Sequence, residues 1–212
     1  MSGAVRPGPR DVLLVVDVQN DFCPGGALAV PDGDAILPVV NRLARAFPHV
    51  LLTQDWHPAG HHSFAETYPG KAPFETIALP YGPQILWPEH CVQETPGAAF
   101  RADLDIPHAE LVIRKGYHLR IDSYSAFFEN DHNTSTGLAG YLRERGFRRV
   151  FLCGLAFDFC VRYSAEDAIA SGFEAIVIED ACRGIDLAGS VAETHRTLAA
   201  LGARVVPAGA IA

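Results

Sequence analysis

Much that would announce a function outright is missing from this sequence. Basic residues are outnumbered, 17 Lys and Arg against 25 Asp and Glu for a formal net charge of −8, and no basic run interrupts that excess. Such a balance argues against nucleic acid or an anionic membrane surface as a partner. No apolar run approaches the ~18 residues that a membrane-crossing helix needs. The opening MSGAVRPGPRD lacks the apolar centre of a secretory leader, so a cytoplasmic location is expected. The five cysteines, Cys23, Cys91, Cys153, Cys160 and Cys182, are odd in number and nowhere form a Cys-x-x-Cys pair. Neither a disulfide framework nor a zinc ribbon fits that pattern, and all five are expected to be reduced thiols. Internal repeats and low-complexity tracts are absent too, which argues against a solenoid.

What is there is an ordinary globular composition: 212 residues, 49% hydrophobic and 20% charged, enough for one α/β domain with a full core. Short continuous apolar runs recur at 12–16, 50–53, 111–113, 150–153, 175–178 and 204–206. Continuous rather than alternating apolar character marks strands covered on both faces, hence a parallel sheet. Between most of them, 34–47, 134–145, 158–171 and 190–201 carry apolar residues at helical spacing, as in Ile36, Leu37, Val40, Leu43, Ala44 and Phe47. Gly146, Gly172 and Gly202 stand just past three of these segments, where helix ends favour glycine. The alternation predicts a three-layer α/β/α sandwich around a doubly wound, mostly parallel sheet of about six strands, with ligands at the carboxyl ends of the strands. Residues 1–212 are read as a single domain. The stretch at about 58–101 is the exception, rich in proline and glycine and without periodicity. A connection that long inside a compact domain is usually functional.

The strand ends carry the chemistry. The first runs into Asp17 within VDVQNDF. A dinucleotide site would want Gly-x-Gly-x-x-Gly at this turn; Gly25 and Gly26 do not supply it, and neither NAD nor flavin is expected. The turn offers instead a carboxylate where a general base could act. The second strand leads into TQDWHPAGHHSF, and alternate residues of an extended segment face the same way, so Asp55 and His57 can converge on one cation. The third ligand is left open by spacing, since His61, His62 and His90 all follow within the long stretch. Imidazoles with a carboxylate suit zinc, iron or manganese and leave room for water or substrate. The third strand end, IRKG, places Lys115 at the same rim, where an ammonium lowers a thiol's pKa and keeps a carboxylate ionised.

The segment at 150–163, VFLCGLAFDFCVRY, reads as a buried strand, a glycine turn and a helix opening near Cys160. Unpaired N–H groups and the helix dipole there favour a thiolate. A lone cysteine is more often a small packing residue. The convergence of Asp, Lys and Cys on one edge is what makes Cys160 a candidate nucleophile.

DVQNDF, DWHPAGHHSF, YGPQILWPEHCVQ, RKGY, DSYSAFFEN and CGLAFDFCV resemble, over nearly the whole chain, the signature segments of the nicotinamidases within the isochorismatase-like cysteine hydrolase superfamily. The resemblance implies that Asp17, Lys115 and Cys160 form a catalytic triad. It also implies that Asp55, His57 and His90 hold one divalent metal ion, zinc foremost, with iron or manganese as alternatives. His61 or Ser63 would join that shell through water. An oxyanion hole would come from the backbone N–H groups of Ala156 and Cys160, with a cis peptide between Leu155 and Ala156. Phe22, Trp87 and Tyr124 match the aromatic walls of the family's pocket. Phe157 departs from the threonine frequent at its position and is expected to reshape only the outer shell.

The implied reaction is hydrolysis of nicotinamide to nicotinate and ammonia through a cysteine thioester, serving NAD salvage, with pyrazinamide as a second substrate. A homo-oligomer is left open. Three rivals stand beside this reading: an N-carbamoyl amide hydrolase or an isochorismate-cleaving enzyme of the same superfamily, and a noncatalytic metal-dependent binding module. The binding module predicts a buried Cys160 whose thiol pKa lies near or above ~8.5.

Overall fold

The computed structural model describes residues 5–212, so the first four residues of the stretch read for a leader lie outside it. Among the described residues the strands are β1 (Asp11–Val16), β2 (Val50–Asp55), β3 (Thr76–Leu79), β4 (Gly82–Ile85), β5 (Leu111–Lys115), β6 (Arg149–Leu155), β7 (Glu174–Arg183) and β8 (Arg204–Val206). The helices are α1 (Leu37–Ala44), α2 (Leu138–Glu144), α3 (Arg162–Ala170) and α4 (Ser190–Ala200). Six strands form one parallel sheet in the order β5-β2-β1-β6-β7-β8, while β3 and β4 pair apart from it as an antiparallel hairpin. Every residue of β1 and β2 is buried, as continuous apolar runs require when both sheet faces are covered.

The strand order decides where the site lies. From β1 the chain winds outward through β2 to β5, then returns to the other side of β1 at β6 and winds the opposite way to β8. Right-handed crossovers put helices on opposite faces for the two directions. The reversal opens a crevice beyond the carboxyl ends of β1 and β6. There the two strands approach closely at Gly154, which has a φ of +119° and where a Cβ would stand only 2.1 Å from the Val16 carbonyl oxygen. A side chain at this position would force the two strands apart beside the site.

The elements differ from the sequence expectation mainly at their starts. α1 begins at Leu37 rather than 34, because Gly33–Ile36 winds as a tighter 3-10 turn ahead of Pro38 in the first helical turn. α2 begins at Leu138 because the Thr136 hydroxyl donates back to the Ala126 carbonyl at 2.7 Å, holding the preceding residues in a turn. α3 is preceded by a π-helical turn, Phe157–Val161, in which the Val161 N–H reaches the Ala156 carbonyl at 3.1 Å. The ends of α2, α3 and α4 fall within one residue of expectation, whereas α1 stops at Ala44 rather than 47. Phe147, Phe173 and Ala203 donate to Leu142, Ala168 and Leu198, the bond pattern of a left-handed cap at the glycine just before each. The long stretch at 58–101 is not structureless, since it holds the β3–β4 hairpin and a 3-10 turn, Ala65–Thr67. Among the described residues no helix is long and apolar enough to cross a membrane.

Candidate active site

Four strand ends deliver the charged residues of the crevice. Asp17 follows β1 directly in a left-handed conformation with φ 47°. Asp55 and Lys115 close β2 and β5 and stand opposite each other in the register. Cys160 sits in the π-helical turn after β6. Lys115 lies on the floor of the crevice rather than at its rim, with no solvent exposure. Its Nζ is 2.9 Å from Asp17 Oδ2 and 3.1 Å from Asp55 Oδ1, donates to the Ser123 carbonyl at 3.0 Å, and lies 3.4 Å from Cys160 Sγ. A buried ammonium survives only when so surrounded. Burial alone would pull its pKa down; Asp17 and Asp55 outweigh that and hold it well above the ordinary lysine value.

Asp17 presents two different oxygens. Oδ1 accepts the Thr53 hydroxyl at 2.6 Å, whereas Oδ2 is buried and, although close to Lys115, lies off any hydrogen-bonding direction. Burial raises the pKa of Asp17 against the opposing pull of Lys115. Burial likewise pushes the Cys160 thiol well above its ordinary value, with Lys115 opposing and Asp17 reinforcing. That direction is opposite to the one the helix end alone would give. Cys160 lies within a wide, enclosed turn rather than at the open end of α3, so desolvation wins over the cation. A raised thiol also ceases to single out a binding module, because a protonated thiol beside an open carboxylate oxygen is what general-base activation requires.

The second charged group faces the first across Lys115. Ligand atoms of Asp55, His57 and His90 lie within 4.8 Å of one another, and all three residues are buried. His57 Nε2 and His90 Nε2 stand 3.0 and 3.4 Å from Asp55 Oδ2. Each ring's Nδ1 is 2.8 Å from a carbonyl oxygen, of Gly116 for His57 and of Pro88 for His90. In the neutral rings that contact fixes the proton on Nδ1 and turns an Nε2 lone pair toward the shared space. His57 Nε2 is buried without a hydrogen-bond partner, as a ligand atom for a cation would be. Burial would raise the Asp55 carboxyl, but His57 and Lys115 outweigh it and hold the pKa well below the usual range. Gly116, with φ +67°, is required here because a Cβ would meet His57 Cε1 at 2.5 Å. His61 and Ser63 bond each other at 2.7 Å, and His61 Nε2 is also 3.0 Å from the His118 carbonyl, so both ring nitrogens have partners within the protein. Burial pushes the His61 pKa down to about 4.

A pocket lies over these groups, and Phe22, Trp87 and Tyr124 line it together with Ala156 and Cys160. The Trp87 indole N–H donates to the Tyr124 hydroxyl at 3.1 Å. The Leu155–Ala156 peptide is cis. Phe157 packs against His195 with ring centroids 5.0 Å apart, away from the pocket lining.

Sequence reasoning missed several contributors. Leu28, Asp122, Ser123, Phe159 and Ile185 also line the pocket, and Phe159 stands edge-on to Trp87 at 4.9 Å. Gln84 of β4 donates to Asp122 Oδ2 at 2.6 Å, which ties the hairpin to the pocket. Gln19 exchanges hydrogen bonds with the Asp55 backbone, and Asp21 Oδ2 accepts the Cys91 N–H at 2.7 Å beside His90. Gln19 and Asp21 stand in the same VDVQNDF motif as Asp17, and that proximity was the signal available for them.

With this geometry in view, comparison with known proteins is specific. Residues 11–209 match the Isochorismatase domain family. A nicotinamidase of Acinetobacter baylyi is 55% identical over 190 residues, covering 90% of this chain and 89% of that one. Among solved structures, an Acinetobacter baumanii nicotinamidase/pyrazinamidase superposes with a TM-score of 0.95 at 55% identity, covering 95% and 98% of the two chains. The L. infantum protein solved in complex with nicotinate gives 0.87 at 38% identity over 99% and 98%. A pyrazinamidase of Pyrococcus horikoshii solved in complex with zinc gives 0.76 at 37% identity over 94% and 99%. The parallel sheet, the crevice at its reversal and these matches lead to one conclusion: this chain belongs to the isochorismatase family.

Proposed function

We propose that this protein hydrolyses nicotinamide to nicotinate and ammonia, and pyrazinamide to the corresponding acid, with Cys160 as nucleophile. The observation that carries this reading is the Lys115 ammonium set among Asp17 Oδ2, Asp55 Oδ1 and Cys160 Sγ, at 2.9, 3.1 and 3.4 Å. One buried cation there balances a base, a nucleophile and the neighbouring carboxylate.

The open Oδ2 of Asp17 takes the thiol proton as Sγ attacks the amide carbon. The N–H groups of Ala156 and Cys160 stabilise the oxyanion that develops, a contribution of ~3–4 kcal/mol per donor in comparable sites. Asp17 returns the proton to the amide nitrogen, the C–N bond breaks and ammonia leaves a thioester on Cys160. Asp17 then takes a proton from water as that water attacks the thioester carbonyl, and collapse releases nicotinate and the thiol. Lys115 lowers the energy of each state in which negative charge gathers on Asp17 or Sγ. Phe22, Trp87 and Tyr124 enclose the ring and exclude bulk water. A divalent ion held by Asp55, His57 and His90, zinc by likeness to the Pyrococcus relative, would act as a Lewis acid toward the pyridine nitrogen and so anchor the ring.

The test is ammonia release from nicotinamide, pyrazinamide and N-carbamoylsarcosine. Turnover of the two ring amides with little from the third is expected. Preferential turnover of N-carbamoylsarcosine would replace this reading with the carbamoyl-amide one.

A further inference from the structure

The turn that carries Cys160 also carries a second buried acid with no part in the chemistry above. Asp158 is 1% exposed and sits two residues before Cys160. Its carboxylate accepts three hydrogen bonds, all from the segment after β7: the Ile185 N–H at 2.9 Å, the Asp186 N–H at 2.8 Å and the Ser190 hydroxyl at 2.5 Å. That segment holds itself poorly. Asp186, Ala188 and Gly189 have φ of 56°, 52° and 85°, a left-handed conformation that a residue with a side chain adopts reluctantly. It also fits tightly, since a Cβ on Gly184 would come within 2.6 Å of Val191 and 3.1 Å of Asp158 Oδ1.

The segment has two faces. Ile185 lines the catalytic pocket beside Phe159 and Cys160. Leu187, Ala188 and Gly189 line an open groove on the far side of Phe159, where Asp158 and Phe74 also stand. The wall between pocket and groove is thus Phe159 from the nucleophile's own turn and the chain that Asp158 grips. The bond from the Ser190 hydroxyl lies at the start of α4. The bonds from Ile185 and Asp186 serve the wall.

We propose that Asp158 is a positioning residue that sets the width of the ring pocket, by locking Ile185 to the turn that bears the nucleophile. It touches neither substrate nor Sγ. Its effect is on which rings fit and how tightly, so the proposal deepens the amide-hydrolase reading and rests on it.

The experiment compares the parent enzyme with Asp158→Asn, Ser190→Ala and Ile185→Ala. Readouts are kcat and KM for nicotinamide and for a ring-methylated nicotinamide, nicotinate Kd by tryptophan fluorescence, and the iodoacetamide reaction rate of Cys160. An amide at 158 presents an NH2 to a donor and unlocks the segment. Asp158→Asn is expected to raise KM and nicotinate Kd about tenfold, change kcat less than about threefold, and shift selectivity toward the methylated ring by about tenfold. Thiol reactivity should stay within about twofold of the parent. Ile185→Ala should reproduce the selectivity shift with Asp158 intact, and Ser190→Ala should give a smaller change of the same sign. Unchanged KM and selectivity in Asp158→Asn would overturn the proposal, as would a fall in kcat with slowed alkylation, which would put Asp158 on the nucleophile itself. If Asp158→Asn does not fold, Ser190→Ala and Ile185→Ala decide by the same readouts. If the parent releases no ammonia from nicotinamide, the functional reading fails separately, and nicotinate Kd still tests the lock.

Discussion

The residues of the proposed triad stand at or just after strand ends, whereas the proposed metal site joins Asp55 at the end of β2 to His90 on a long loop. Asp17 and Lys115 are placed by β1, buried throughout, and by the edge strand β5, whose one buried residue is Lys115 itself. His90 and Trp87 belong to a stretch whose path is kept by isolated β-bridges to distant segments, Phe64 with Trp87 and His57 with Val92. Lys115 forms ion pairs to both sides, with Asp17 and with Asp55. The difference teaches a division of labour: a rigid sheet presents the reacting atoms, and an adaptable loop shapes what may reach them.

The sharpest way to break that division is at the nucleophile. Cys160→Ala is expected to lower kcat/KM at least ~10⁴-fold, while Cys23→Ala and Cys91→Ala leave the thiol chemistry in place. Ammonia assays on the three purified variants check this, and substantial turnover by Cys160→Ala would end the covalent mechanism.

Next comes the coupling of Asp17 to Lys115. As members of one unit, their losses should be strongly non-additive, the double variant Asp17→Asn, Lys115→Met losing little beyond the worse single one. A product of the two single losses in kcat/KM would mean independent residues and no triad.

On the metal side the effect should fall on binding. Benzamide keeps the scissile amide and the ring shape but lacks the ring nitrogen, and a lost ligand bond of ~3–4 kcal/mol would lower its kcat/KM by roughly a hundredfold to a thousandfold against nicotinamide. Chelation should erase most of that gap. Benzamide turnover within about threefold of nicotinamide on metal-loaded protein would show that the ring is not anchored there.

The last expected effect concerns a buried acid behind the floor. Glu129 has both carboxylate oxygens buried without hydrogen-bond partners, and burial pushes its pKa up to about 7. With an unfolded value of ~4.3, the ionised form destabilises the fold progressively from about pH 4.3 to 7 and fully above that. Glu129→Gln should therefore gain stability over the parent, by up to ~3–4 kcal/mol at pH 8 and by almost nothing at pH 4. Urea unfolding at both pH values measures it, and a gain independent of pH would contradict the assignment.

The same contrast explains what could be read from the chain alone. Strands announce themselves locally: runs such as Val12–Val16 are apolar without interruption because both faces are covered, and the residue after each run is then a strand end. Asp17, Asp55, Lys115 and the turn of Cys160 were legible for that reason. Gln84, Asp122 and Asp158 were not, because each acts by a hydrogen bond to a segment far along the chain, and for Gln19 and Asp21 only their place beside Asp17 gave a signal. The β3–β4 hairpin escaped for a related reason. Its two strands pair with each other, β3 alternates between exposed and half-buried, and the one buried residue of β4 is the polar Gln84, so its apolar signal is weak. For Cys160 the position at a helix start is local and legible, whereas its enclosure, which pushes the thiol pKa up, is a property of the whole fold.

Rapid quenching of the enzyme during nicotinamide turnover, followed by mass spectrometry of its peptides, tests the central claim most directly. The account predicts a nicotinoyl group on the peptide bearing Cys160, appearing before steady state and absent from Cys160→Ala. Full turnover with no acyl group on Cys160 at any time, or the group on another cysteine, would contradict it.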